Sequence, residues 1–471
     1  MDFFLVTLGL ALPVLLGGLW LNPFVPKHNA GRTALVWGNG TLIGLLLIPQ
    51  LMRAVDALAI PLTFVSAAFP VGALMALALI VHFARRKRAP PPHVAMPDYS
   101  AMPSAHKVLF LLLLLLIVLR VATLGLEVLW RPLFPWDATM HWANKARVWF
   151  EYQRIVPFVT REEWLELGGA GVFTDPHPDY PLTIPLLQVW MNLAVGRWDE
   201  SLMNLPWLLC LFALGTAFYG QLRVSSVSPV IAVAFAYLLF SLPLLNIHVA
   251  LAGYADIFLA ATYCGALMAM HSWVATRQRW QAVLALCFAI ACPLIKGEGL
   301  VWSLTLVPAL ALRVMSRREA AKLYLLFALL LLLLFLVAPA DLMIAGHHLG
   351  NLTPEFHPEG LSGMVQSVWL HDNWHLLGYL ALAVLPLGLI LLPGALTRTY
   401  LEITVTLGVA VSAFLFLFLF TGFGAAAADF TGVGRLSIHL APGLLFLVAL
   451  LCNDLLSLDS GRPAQGTATP A

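Results

Sequence analysis

Residues 107–130 read KVLFLLLLLLIVLRVATLGLEVLW, and between Lys107 and Glu127 only Arg120 is charged. A run of about 20 apolar residues is the length of helix that crosses the hydrocarbon core of a bilayer. A soluble helix would turn a polar face outward every third or fourth residue, and none recurs here. The segment therefore predicts a membrane-spanning helix, and the rest of the chain repeats the pattern. The 471 residues are 61% hydrophobic and 11% charged, where soluble domains are about 25% charged. Other apolar runs of spanning length lie near 3–22, 34–52, 62–84, 201–222, 229–247, 255–275, 321–340, 377–394, 402–421 and 437–456. The run 281–312 is broken by Pro293, Lys296, Gly297, Glu298 and Gly299, which predicts two short helices meeting at a polar turn. The expected fold is an all-α polytopic membrane protein with about 13 transmembrane helices and a large external loop carrying surface helices.

Orientation follows from Lys and Arg, which favour the cytoplasmic side. The run Arg85, Arg86, Lys87, Arg88 fixes that side, and alternation outward from it gives an external N-terminus and a cytoplasmic tail. Segments 129–200, the Lys296 turn, 341–376 and 422–436 then all face outward. Three N-terminal helices over 1–84, of open role, precede a cytoplasmic linker at 85–106, a membrane domain at 107–457 and a disordered cytoplasmic tail at 458–471. The stretch 181–196, with Pro181 and Pro185, is expected to lie at the membrane surface or dip into it without crossing. Met1-Asp2-Phe3-Phe4 lacks the positive region of a signal peptide, so the first run is expected to be retained. The five cysteines fall in apolar runs without a C-x-x-C pair and read as core residues. No basic, aromatic-rich stretch suggests nucleic acid, and no internal repeat suggests a transporter built on duplicated halves.

The polar residues collect on the external side. Asp137 sits in PWDATMHWANKARVW directly after the 107–130 run, with Trp136 and Trp142 beside it. An acid at a membrane surface is costly unless it has a partner or a task; the alternative is an aromatic belt with a solvated Asp. Further clusters are Asp175-Pro176-His177-Pro178-Asp179-Tyr180-Pro181, Gly253-Tyr254-Ala255-Asp256, Lys296-Gly297-Glu298-Gly299, and Arg435 followed by His439 and Pro442. Arg120 and Glu127 share a helix face and are expected to line a polar cavity, with snorkelling to the surface as the alternative.

The order PWDATMHWANKARVW, HPDYPLTIPLLQVW, GYADIFLA, a K-x-E-G turn and a late Arg before a Pro-containing helix resembles bacterial integral-membrane glycosyltransferases of the GT-C fold. Within these it is similar to the family 39-like group, the relatives of protein O-mannosyltransferases and aminoarabinose transferases. The resemblance covers roughly 107–445 and leaves the first three helices outside it. It implies a GT-C-like domain over 107–457 in a bacterial inner membrane, with the active site facing the periplasm or exterior. It also implies a hexosyltransferase-type enzyme using a polyprenyl-phosphate sugar donor and a lipid, glycan or protein acceptor.

The residue types suit that chemistry. A hydroxyl attacking a sugar C1 needs a carboxylate to take its proton; Asp137 fits, and the family's loop Asp maps onto it. The departing lipid phosphate needs a fixed cation. Arg435 is the first candidate because its planar fork grips two oxygens, with Lys296 and His439 behind it. Trp136 and Trp142 are candidate sugar platforms. His141, Lys145, His177, Asp179, Tyr180, Asp256 and Glu298 complete the expected donor- and acceptor-binding set. Plainer roles stand beside these: Asp256 as a helix cap, Lys296 and Glu298 neutralising each other, and Arg435 as a lipid-headgroup anchor. The histidines of 341–376 include the i, i+4 pair His371 and His375 but no H-E-x-x-H signature, so no metal site is expected there. No cofactor is required, and a divalent cation held by Asp137, His177 and Asp179 is the alternative. The alternative functions are a lipid or glycan transporter or flippase, and a GT-C-type glycan polymerase or ligase.

Overall fold

A computed structural model describes residues 2–86, 102–344, 347–352 and 354–459. Lys87 and Arg88 of the basic run, most of the 85–106 linker and the tail from 460 lie outside the described residues. The described residues are mostly helical, with two short ladders, Phe158–Val159 parallel to Phe173–Thr174 and Met343–Ile344 antiparallel to His347–His348. That outcome follows from the apolar runs, because a segment in lipid must satisfy its backbone internally. Nine helices among the described residues are long and apolar enough to cross a membrane, and ten if the bent pair Pro229–Ser241 and Pro243–Ala250 is one span. The architecture is that of a multi-pass membrane protein.

The three remaining runs are helices too, Arg279–Ile295, Gly299–Val314 and Leu377–Leu391, of 17, 16 and 15 residues. At 1.5 Å per residue they reach about 23 to 26 Å, short of a hydrocarbon core about 30 Å thick. The first two meet at Lys296–Glu298, the polar turn the sequence predicts.

The chain forms two compact units. One comprises Met1–Ser241, Leu245–Ala261 and Leu294–Lys296; the other comprises Leu242–Leu244, Thr262–Pro293 and Gly297–Ala471. In the first, helices Asp2–Leu21 and Arg32–Ala57 approach so closely that a Cβ on Gly17 or Gly40 would overlap the facing backbone. Small residues of this kind let membrane helices pack by van der Waals contact where lipid removes the hydrophobic drive. Helix Thr183–Val195 is buried along its whole length, packed on these two helices, with Trp190 Nε1 donating to Gly9 O at 2.9 Å. All its faces are covered by the rest of the first unit. The segment after Trp130 is fastened to these helices: Ile155 N donates to Asp56 Oδ1 at 2.9 Å and Leu62 N to Gln153 O at 2.7 Å. Trp149, Trp190, Met52 and Leu16 fill one shared core.

In the second unit Gly299–Val314 packs on Leu401–Phe420, which with Leu377–Leu391 packs on the last helix, Val433–Asp459. Arg120 and Glu127 do not line a cavity: both are exposed, and Glu127 pairs with Arg131 at 3.8 Å.

The close approach of the first two helices is directly testable. Gly40→Val drives a side chain into backbone, an overpacking that costs about 1 to 3 kcal/mol, and should lower the melting temperature of the detergent-purified protein. Gly72→Val, where nothing lies within 4 Å of the added Cβ, should leave it in place.

Candidate functional site

The W-D-A segment folds as a turn held from behind, because Thr139 donates to Pro135 O through both its N and its Oγ1, each at 3.0 Å. From there Ala138–Ala143 forms one turn of π-helix with Asp137 at its start. Such wide turns are uncommon and occur often at functional sites. Asp137 is half-buried, while Trp136 is 71% exposed.

Against this turn lies Gly253, at φ 114°, where a Cβ would sit 2.5 Å from Ala138 Cβ. Only glycine meets both demands. Trp207 Nε1 pins the same G-Y-A-D turn through Tyr254 O at 2.7 Å. Asp256 opens helix Asp256–Thr276, fully buried, and takes Lys296 Nζ at 2.9 Å. Lys296 thus pairs with Asp256, 40 residues away in sequence. Thr183 Oγ1 donates to Leu294 O at 2.5 Å, which ties the helix after H-P-D-Y-P to the strand of chain entering Lys296.

The loop is organised by Asp175, which has no exposed surface. Its Oδ1 accepts His177 N at 2.7 Å and faces His141 Nδ1 at 3.0 Å; its Oδ2 stands 3.5 Å from Lys145 Nζ. An ionised carboxylate only accepts hydrogen bonds, so His141 Nδ1 carries the proton. Lys145, itself buried, donates to His177 O at 2.6 Å. Both ends of the His177 residue are therefore gripped by one ion pair. The rings of His177, Tyr180 and Trp142 stack in series, with centroids 4.7 and 4.9 Å apart. Trp142 is consequently buried, and Trp136 is the tryptophan of the pair whose ring is exposed. Burial pushes the Lys145 ammonium down against the opposing pull of Asp175. Burial, then the neighbouring His141, push the His177 imidazole down.

The first unit thus brings together Asp137, His141, Lys145, His177, Tyr180, Asp256 and Lys296, with Asp179 exposed on the same loop. Glu298, Arg435 and His439 belong to the second unit. There Arg435 is half-buried at the start of the last helix, and His439 Nδ1 accepts Trp302 Nε1 at 3.0 Å. Among the described residues no three His, Cys, Asp or Glu side chains are grouped as a metal site. Asp175 is the site residue whose role the sequence does not disclose. Its signal is the Asp-Pro step two residues before His177, which favours a turn closed by the Asp side chain. Compared with known proteins, the chain matches no family model, no curated protein and no solved structure.

Two outcomes follow from this cluster. Asp175→Asn keeps the shape but leaves Lys145 as a buried ammonium without its counter-charge; breaking a buried pair costs about 3 to 5 kcal/mol, so thermal stability should fall markedly in a detergent melt. His177 has a folded pKa below its ordinary 6.5, so between those values the unfolded chain binds more protons. Its contribution therefore rises with pH up to 6.5 and is lost toward acid. Melting temperatures at about pH 5 and pH 7 should differ less in His177→Gln than in wild type.

Proposed function

We propose that the chain is a membrane glycosyltransferase of the GT-C type, moving a sugar from a polyprenyl-phosphate donor to an acceptor on the periplasmic or external side of a bacterial inner membrane. The observation that supports this reading is the meeting, in one unit, of four segments far apart in sequence: the W-D-A turn, H-P-D-Y-P, G-Y-A-D and Lys296. A carboxylate next to a membrane, backed by buried ion pairs, is suited to transfer onto a hydroxyl. Asp137 accepts the hydroxyl proton as the oxygen bonds to the sugar C1. The bond from C1 to the phosphate oxygen breaks, and the lipid phosphate leaves with the electron pair. His141, Lys145 and Asp175 act by positioning the turn that carries Asp137. Trp136, exposed beside it, supplies a face for a sugar ring. For Arg435 the support is its residue type and its place at the N-terminal end of a helix, where free N–H groups already favour an anion.

A lipid or glycan transporter is the second reading. It is favoured by Glu402, fully buried in the second unit and paired with Arg313 and His271, because ionisable groups among membrane helices mark ion or substrate pathways.

Asp137→Asn separates the two. In purified protein given a radiolabelled polyprenyl-phosphate hexose and a lipid acceptor, the variant should bind donor yet lose about 10² to 10⁴-fold in transfer. Near-normal turnover moves the base elsewhere, and passage of intact donor across vesicles without loss of its sugar selects the transporter.

A further inference from the structure

The segment after Trp130 holds a cleft of about 520 Å³ that none of the residues above occupies. Its volume falls in the range of small-ligand sites, about 300 to 1,000 Å³. Tyr152, Arg154, Trp164 and Phe173 line it together with backbone at Val156 and Gly169. Tyr152 closes helix Asn144–Tyr152, Arg154 follows in the next turn, and Trp164 projects from helix Arg161–Glu166. That short helix is fixed by a reciprocal cap between Thr160 and Glu163. Phe173 sits edge-on to Tyr152, with ring centroids 5.5 Å apart.

The side chains lining this cleft include one cation, Arg154, and no carboxylate. The Arg154 guanidinium, the Tyr152 hydroxyl and the Trp164 indole N–H all donate, and the guanidinium can only donate. A cleft of donors between aromatic faces suits a ligand with flat C–H faces, many acceptor oxygens and a negative charge. That description fits an anionic saccharide: the rings pack on Trp164 and Tyr152, and a carboxylate or phosphate meets Arg154 in a charge-assisted pair.

The cleft is also joined to the candidate site by the chain itself. Tyr152 lies seven residues along one helix from Lys145, about 10 Å, and Phe173 lies two residues before Asp175. The cleft and the Asp175 cluster are thus carried by the same helix and the same loop. We propose that the Tyr152–Arg154–Trp164 cleft binds an anionic saccharide, as the acceptor-side subsite of the same centre. The acceptor role rests on the transferase reading above; the binding itself does not.

The experiment is direct binding to the full-length protein in detergent, followed by microscale thermophoresis. The probes are a glucuronate-containing tetrasaccharide, glucose 6-phosphate and neutral maltotetraose. The charged tetrasaccharide should bind, the neutral one should bind at least about tenfold more weakly, and Arg154→Gln should erase that preference. Tyr152→Phe, which keeps the ring, should weaken binding only a few-fold. Preference for the tetrasaccharide over glucose 6-phosphate assigns the anion to a uronate, and the reverse assigns it to a phosphorylated sugar. Equal affinity for charged and neutral tetrasaccharides, or unchanged affinity in Arg154→Gln with its melting temperature intact, overturns the proposal. If Arg154-dependent binding persists in a protein that transfers no sugar, the transferase reading fails and the saccharide site stands.

Discussion

A carboxylate removed from water must be answered on every side, and Asp175 is the one on which the loop of the first unit depends. Its answers come from a π-helical turn, from the helix that follows it and from the peptide of His177. In the low dielectric of a buried site these contacts are stronger than in water, and so is the cost of losing any one. The consequence is positional. With Lys145 and His141 committed to Asp175, the turn bearing Asp137 has one place to be relative to the segment 175–181. Thr183 extends that constraint to the chain entering Lys296.

The same solution recurs at each buried acid. Asp256 is met by Lys296, and in the second unit Glu402 is met by Arg313 and His271, while Tyr400 donates to Asp454 at 2.6 Å. A buried ion pair adds little net stability over an apolar replacement, because desolvation offsets attraction. What it contributes is register between helices whose apolar faces would otherwise slide, since lipid and leucine are nearly alike as partners.

The fold was legible where one physical rule governs. Runs without charge become helices in lipid, so every apolar run in the described sequence is helical, including the short pair around Lys296. Length was less legible: Leu377–Leu391 read as a full span over 377–394 because apolar residues continue past the point where the helix ends. The site was legible in its residue types but not in its pairings. Trp142 and Trp136 look alike in sequence, yet one stacks on Tyr180 and the other faces out, a difference made by residues nearly 40 positions away. The sequence sets Lys296 beside Glu298, and its pair with Asp256, 40 residues away, could not be read from that neighbourhood. Asp175 resembled any turn-forming Asp, since what makes it central is the burial that Lys145 and His141 complete.

The hydrogen bond from Trp190 to Gly9 has a meaning for how the chain is made. Its two ends are 181 residues apart, and at a synthesis rate of about 5 to 20 residues per second the second arrives roughly 10 to 40 s after the first. During that interval the opening helix can settle against Arg32–Ala57 through glycine contacts, but the carbonyl of Gly9 has no indole to meet. Completion of the first unit therefore waits for the segment 131–182 and the helix Thr183–Val195. Helix Asp2–Leu21 is thus made well before the residue that completes its packing.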